Sequence, residues 1–278
     1  MAKNDREEPE RAVAAAATGW TDTHVHLASL AGEGRDAEGV VARAVAAGVT
    51  RLLTVGHEPA ANLACLQAAQ RWPDRMRAAI GYDRACAAAP PPDDALREAL
   101  AAHRQLIVAL GEIGLDYARG RDNARAQRAL LAGQCAMARE ARLPVIIHTR
   151  DAEEDTVAML REHSLAAGLE DRVGVIHCFT GDTALAGRLL DLGFAISLSG
   201  IVTFRNAERL RGVARYIPAA RLLLETDAPF LAPEPHRGEV NEPALLPVVG
   251  ACVARERGTT VVALAAQTAA NASRLFAW

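Results

Sequence analysis

Pro144-Val145-Ile146-Ile147-His148-Thr149-Arg150 is the stretch that decides the fold. Its apolar run is continuous rather than alternating, as expected of a strand buried on both faces of a parallel sheet. The run stops at a histidine, a residue that can bind a metal. Leu222-Leu223-Leu224 has the same form and leads into Glu225-Thr226-Asp227. Outward from these two, β-type runs recur at Thr21–Leu27, Arg51–Val55, Arg77–Gly81, Ile107–Gly111, Val173–His177 and Phe194–Leu198, which with Pro144–His148 and Leu222–Thr226 makes eight. Amphipathic Ala/Leu/Arg stretches lie between them, such as Ala37–Ala47, Asp93–Arg104, Arg125–Ala141, Ala152–His163 and Thr183–Leu192. Strands alternating with helices indicate parallel βαβ units. Eight such units indicate an α/β fold of the TIM-type (β/α)8 barrel, with a single domain over residues 19–278. Thr259 to Phe276 reads as one more helix covering the barrel, and Pro90-Pro91-Pro92 as a loop and helix start rather than a linker. Residues 1–18, charged and then Ala-rich, are expected to form a poorly ordered tail.

With 278 residues, half of them apolar, the chain can build one large core. Its formal net charge of -3 leaves no global basic footprint, so a nucleic-acid substrate has to be held by a local site. Cys65, Cys86, Cys135, Cys178 and Cys252 are odd in number and include no C-x-x-C pair. That argues against a disulfide framework or zinc ribbon and for reduced, buried thiols in a cytoplasmic protein. The N-terminus lacks the basic start and clean apolar stretch of a signal peptide. No apolar run approaches the ~18 residues of a membrane span, so no membrane partner is expected.

The chemistry gathers where strands end. His24-Val25-His26 closes the first strand, and a side-chain period of two points both imidazoles to one face. The fourth strand leads into Gly111-Glu112-Ile113-Gly114-Leu115-Asp116, the fifth ends at His148, the sixth at His177, and the eighth leads to Asp227. In a barrel all of these fall at the C-terminal rim, where active sites of this fold are built. Each has a plain structural reading: an H-x-H packed in a core, a capping Glu112, an Asp227 that starts a turn before Pro229. Structural accidents should not all fall at the same end of five strands. Four imidazoles and at least two carboxylates buried together are costly without a cation. The set therefore predicts a metal site.

In this order, His24-x-His26, Gly111-Glu112-x-Gly114-Leu115-Asp116, His148-Thr149-Arg150, His177-Cys178-Phe179-Thr180-Gly181 and Glu225-Thr226-Asp227-Ala228-Pro229 resemble the TatD family of metal-dependent deoxyribonucleases. Arg237-Gly238 followed by Asn241-Glu242-Pro243 resembles that family's last loop, and the likeness runs from about residue 20 to the C-terminus. The resemblance implies an amidohydrolase-like barrel that hydrolyses DNA phosphodiesters, acting as a 3′→5′ exonuclease on single strands. It implies two divalent ions: His24, His26 and Asp227 on one, His148 and His177 on the other, and Glu112 bridging. Asp227 and Glu112 would be the catalytic residues around an activated water, with Glu225 supporting them. Zinc, manganese and magnesium all remain open as the metal.

Arg150, Arg205 and Arg237 are candidate phosphate clamps, because guanidinium matches phosphate bidentately. Arg119 and Arg121 read better as solvated surface. Phe179, Phe204 and Phe230 are candidates for stacking on bases, with packing as the equal alternative. Cys178 reads as a packed thiol. One segment departs from the family: after the third strand relatives usually show Gly-x-His-Pro, whereas this chain has Gly81-Tyr82-Asp83-Arg84. An ionised Asp can only accept hydrogen bonds and would oppose a phosphate. Asp83 is therefore expected to be neutralised by Arg84 or Arg119, or turned away, with Tyr82 as a candidate replacement donor. Two other classes of function compete with DNA cleavage. One is the same metal barrel acting on an amide, ester or lactone; the other is a non-catalytic barrel subunit, against which the complete ligand set argues.

Overall fold

The computed structural model of the chain describes residues 19–118, 120–168 and 172–278. The tail expected over residues 1–18 and the side chain of Arg119 lie outside them. Eight strands form one parallel sheet in chain order: β1 (Trp20–Val25), β2 (Val49–Val55), β3 (Met76–Ile80), β4 (Ile107–Asp116), β5 (Val145–Arg150), β6 (Gly174–Ile176), β7 (Ala195–Leu198) and β8 (Leu222–Leu224). The ring closes just beyond β8. Val25 bridges Ala228 in parallel, Asp227 N donates to the His24 carbonyl at 3.0 Å, and His26 N donates to the Ala228 carbonyl at 2.8 Å. The seam of the barrel is thus sewn by candidate site residues.

The helices are α1 (Leu27–Gly32), α2 (Ala37–Ala46), α3 (Pro59–Arg71), α4 (Asp93–Ala102), α5 (Ala124–Ala141), α6 (Glu153–Ala167), α7 (Thr183–Asp191), α8 (Glu208–Tyr216), α9 (Leu246–Glu256) and α10 (Val261–Phe276). Local chemistry sets several starts. Asp36, Asp182 and Thr260 each accept from a backbone N–H in the first turn of α2, α7 and α10, at 2.7, 2.9 and 3.1 Å. Such caps satisfy donors that the helix itself cannot. No helix of the described residues is long and apolar enough to cross a membrane.

Two apolar layers hold the structure. Leu53, Val55, Ala79, Ala109, Ile146, Val175, Ala195 and Leu223 form one buried cluster with Ala272, Leu275 and Phe276 of α10. This is the barrel interior, stoppered by the last helix. The larger cluster, including Trp20, Leu52, Ile80, Leu110, Ile147, Ile176 and Leu224, packs the other face of the strands against the helices. Alternation along each strand then aims the site: His148 lies two residues beyond Ile146, His177 two beyond Val175, and Glu225 two beyond Leu223.

The fourth strand is longer than the sequence suggests. It was expected to end at Gly111; β4 runs to Asp116, so Glu112 and Asp116 are strand residues. A register shift against β5 falls between Leu110 and Ile113, around Glu112. Gly114 (φ +149°) lets the two strands approach: a Cβ there would lie 2.0 Å from the His148 carbonyl oxygen. No side chain fits that gap.

Candidate metal centre

All six candidate ligands converge at the top of the barrel. Glu112 is the hub. Its Oε2 lies 3.4 Å from His26 Nε2 and 3.6 Å from His24 Nε2. Its Oε1 lies 3.2 Å from His148 Nδ1 and 3.3 Å from His177 Nε2. Asp227 Oδ1 is 3.5 Å from His26 Nε2 and 3.9 Å from His24 Nε2. The His24 ring stacks on His177, with centroids 4.0 Å apart, and so joins the two halves.

Nitrogen faces nitrogen in both halves. His24 Nε2 is 3.2 Å from His26 Nε2, and His148 Nδ1 is 3.3 Å from His177 Nε2. The outer hydrogen bonds fix which nitrogens are bare. His26 Nδ1 donates to the Val55 carbonyl at 3.0 Å, which leaves Nε2 as the lone pair. His148 Nε2 donates to Asp116 Oδ2 at 3.2 Å, which leaves Nδ1 as the lone pair. Buried lone pairs directed at one another and at carboxylate oxygens suit a shared cation and little else. The residues present therefore fit metal binding, with Glu112 offering one oxygen to each half.

The electrostatics carry the same message. Burial opposes ionisation of Glu112, yet the charge of His177 and hydrogen bonds from His148, His177 and His24 hold its carboxyl well below the usual range. Burial depresses His24, and the neighbouring charge of His177 adds to it. Burial also works against His26 and His177, but Asp227 and Glu112 raise the first, and Glu112 and Glu225 raise the second well above an ordinary imidazole. Metal-free, the cluster can only compensate its carboxylates with imidazolium protons; divalent ions would take over that role.

Backbone strain aims two of the residues. Asp227 and Cys178 have φ of +57° and +43°, a region that costs a non-glycine residue roughly 1 kcal/mol or more. Asp227 is held there by its N–H to His24, and Cys178 by its N–H to Glu225 Oε1 at 2.5 Å. Glu225 Oε1 also lies 3.4 Å from His177 Nδ1, without a hydrogen bond forming between them. Asp22 ties β1 to this seam, accepting from Thr226 Oγ1 at 2.6 Å and from Thr226 N at 3.0 Å. Burial drives the Cys178 thiol well above its usual pKa, reinforced by Asp227 and Glu225. It is a packed thiol beside Ser199 Oγ, 3.2 Å away.

In the segment Tyr82-Asp83-Arg84 the expected neutralisation of Asp83 by Arg84 is present. Tyr82 is 2% exposed and packs in the core between barrel and helices, with its backbone bonded on both sides to Gln134. Asp83 is engaged by its near neighbours. Its Oδ1 accepts from Ala85 N at 2.8 Å, capping a short 3-10 turn over Arg84–Ala88, and its Oδ2 accepts from Arg84 Nη1 at 2.9 Å. Both oxygens are taken by near neighbours because an Asp at a turn start finds a local N–H sooner than a distant donor. Arg84 Nε also reaches Asp116 Oδ2 at 3.1 Å, which chains this segment to His148.

Two more arginines keep exposed side chains with no hydrogen bond or ion pair among the described residues: Arg150 at the end of β5, and Arg237, which lies over the Phe204 ring at 3.9 Å. Arg121 instead stacks on Tyr117 at 4.7 Å. Phe179 is core, whereas Phe230 is 52% exposed with its ring 6.0 Å from that of His26. Two residues escaped the sequence reading, Asp22 and His57. Asp22 shares strand parity with His24 and His26, so period two was the available signal. His57, whose ring meets His26 edge-on at 5.2 Å, had no such signal. The surface grooves beside Trp72 and beside Leu96 include none of the six candidate ligands in their linings.

Comparison with known proteins agrees with this geometry. The profile of the family described as TatD related DNase matches residues 21–277. An uncharacterized metal-dependent hydrolase of Escherichia coli K12, YcfH, is 52% identical over 170 residues, 61% of this chain and 63% of that protein, so the match spans under two thirds of that relative's length. The 3'-5' ssDNA/RNA exonuclease TatD of Klebsiella pneumoniae is 39% identical over 255 residues, 87% of this chain and 92% of that one. Among solved structures, the TatD homolog YjjV of Escherichia coli K12 superposes with a TM-score of 0.85 at 30% identity, over 95% of this chain and 100% of that one.

Proposed function

The chain belongs to the TatD related DNase family and is a metal-dependent hydrolase, and from that premise we propose that it cleaves phosphodiester bonds of single-stranded DNA, from the 3′ end, with two divalent ions. The observation that carries the reading is Glu112, which directs one oxygen to each of two imidazole pairs whose ring nitrogens face one another. In it His24, His26 and Asp227 hold one ion, His148 and His177 the other, and Glu112 both. When bound, such ions lower the pKa of a water, polarise the phosphoryl oxygen and leave net positive charge for an anionic substrate. The imidazole-rich donor set favours zinc or manganese over magnesium.

The chain's own residues supply the rest. Asp227 Oδ1 faces the imidazoles, while Oδ2 has no partner among the described residues. That oxygen is the acceptor for the water's proton, a transfer typically worth roughly 10²–10⁴-fold. Asp116 holds His148 in one tautomer. Arg150 and Arg237, exposed and without an ion-pair partner, bind phosphates on either side of the scissile bond. Phe230, exposed beside His26, offers a face on which a base can stack. The Klebsiella relative's name as a 3'-5' ssDNA/RNA exonuclease supports the polarity and the single-stranded substrate.

The test is metal stripping and reconstitution, followed by assays on single-stranded DNA, duplex DNA, RNA, bis-p-nitrophenyl phosphate and simple esters. Single-stranded DNA is expected to be degraded from the 3′ end, with two ions bound per chain at full activity. Cleavage of esters, lactones or amides with no phosphodiester cleavage would overturn the reading in favour of amidohydrolase-like chemistry.

A further inference from the structure

We propose that His57, in the loop after β2, is a substrate-binding residue whose Nε2–H donates a hydrogen bond to a non-bridging phosphate oxygen beside the metal centre. The proposal rests on the reading of the chain as a phosphodiesterase. It starts from an imbalance in the loop. The carbonyls of Val55, Gly56 and His57 are all engaged, each by a different part of the site. Val55 O accepts from His26 Nδ1 at 3.0 Å, Gly56 O from Glu112 N at 2.8 Å, and His57 O from Asp83 N at 2.9 Å. The backbone that presents His57 is therefore pinned to a metal ligand, to the bridging carboxylate and to the adjoining rim segment.

The side chain on this pinned backbone is unengaged. His57 is half-buried, and its ring meets His26 edge-on with centroids 5.2 Å apart. Its Nδ1 is buried and bonds to nothing, and among the described residues neither ring nitrogen has a partner. A buried N–H left unpaired is costlier than a buried lone pair, so the proton belongs on Nε2. The ring then offers a directional donor beside His26, which carries Nε2 toward Glu112 and Asp227.

The neighbouring segment explains why this donor matters here. Both oxygens of Asp83 are consumed by Ala85 N and Arg84, and Tyr82 is in the core, so the loop after β3 sends no donor to the substrate from these positions. His57, bonded through its own carbonyl to Asp83 N, stands at the adjacent place on the rim. The imidazole that the Tyr82-Asp83-Arg84 segment lacks comes from the loop after β2 instead. An imidazole N–H donor without a protein acceptor among the described residues, beside the cluster, suits an anionic oxygen such as that of a phosphate group.

The experiment compares wild type with His57→Ala, His57→Gln and His57→Asn, all metal-loaded. It measures kcat and KM on a single-stranded oligonucleotide and on bis-p-nitrophenyl phosphate, the dissociation constant of a deoxynucleoside 5′-monophosphate by calorimetry, and bound metal by elemental analysis. A hydrogen bond to a charged group is worth roughly ten- to hundred-fold. His57→Ala should weaken monophosphate binding and kcat/KM by about that factor, with metal content unchanged. One of the amide variants, which keep an N–H donor, should recover part of the loss. Unchanged binding and kinetics in His57→Ala would overturn the proposal while leaving the phosphodiesterase reading intact. Loss of metal in step with activity would also overturn it, by showing that His57 only supports His26. A wild type that cleaves neither phosphodiester would remove both.

Discussion

The two halves of the candidate metal centre share Glu112 but differ in ligands and in support: the first has a carboxylate of its own, Asp227, and the second only its two imidazoles. The half made by His24, His26 and Asp227 is fully sunk in the seam between β1 and β8. His26 is oriented by a backbone carbonyl and Asp227 by a backbone N–H. The half made by His148 and His177 is more open, with the His148 side chain 21% exposed, and its supports are carboxylates, Asp116 and Glu225. A backbone carbonyl orients an imidazole without titrating and is not removed by any side-chain substitution. A carboxylate orients it too and raises its basicity, but can itself be protonated or replaced. The first half is therefore as robust as the barrel, and the second can be tuned by single residues.

The comparison breaks most visibly at Asp227. If this residue both faces the first imidazole pair and takes the water's proton, Asp227→Asn should retain the fold and lose roughly 10²–10⁴-fold in kcat. Circular dichroism and single-turnover kinetics would check it, and near-wild-type turnover would mean that the first half holds metal without doing the proton chemistry.

Asp116→Asn should sharpen the contrast. The Asp116 carboxyl is held low, at about 2, chiefly by the His148 hydrogen bond, against burial and with help from Ala118 N and Arg84. Removing its charge should weaken one ion by roughly 10–100-fold and leave the other. Titration with a chelator would show two separated release steps in place of overlapping ones. Equal weakening of both ions would mean that the halves do not differ in the way their supports suggest.

Phe230→Ala touches neither support. It should raise KM on single-stranded DNA by several-fold to about a hundred-fold, the worth of one stacked base, and leave bis-p-nitrophenyl phosphate hydrolysis unchanged. An equal effect on both substrates would place Phe230 in the support of His26 instead.

The smallest effect on catalysis is expected at His163, a buried imidazole outside both halves that separates acid loss of metal from acid unfolding. Burial, then the charge of Arg139, lowers its pKa to about 4. The unfolded chain binds that proton first, near pH 6.5. The stabilising contribution is thus present above pH 6.5, declines as pH falls, and is gone below about 4, amounting to at most about 3 kcal/mol. The urea stability of wild type relative to His163→Leu should fall by that much between pH 7.5 and 4. A constant difference across that range would show that the site does not discriminate against the charged ring.

Much of the architecture was legible along the chain. Val145-Ile146-Ile147 and Leu222-Leu223-Leu224 announce strands buried on both faces, and each of the eight expected strands overlaps an observed one. The six candidate ligands were legible because each ends a strand or follows it closely, and a barrel sends all strand ends to one rim. The tenancy of individual side chains was legible only in part. The pairing of Asp83 with Arg84 was legible, but the burial of Tyr82 in the core and the turn N–H that takes the other Asp83 oxygen were not.

Sequence alone determined that this chain is a barrel with a histidine-rich rim, since strand burial and strand period are local properties written in runs of residues. Tertiary structure decided that Glu112 divides its oxygens between two imidazole pairs, that Asp116 and Arg84 stand behind His148, and that His57 lies beside His26. Those relations join residues 31 to 88 positions apart in the chain, from His26 and His57 to His24 and Glu112, only through the curvature and closure of the sheet. No periodicity records which side chain will meet which across the barrel's mouth.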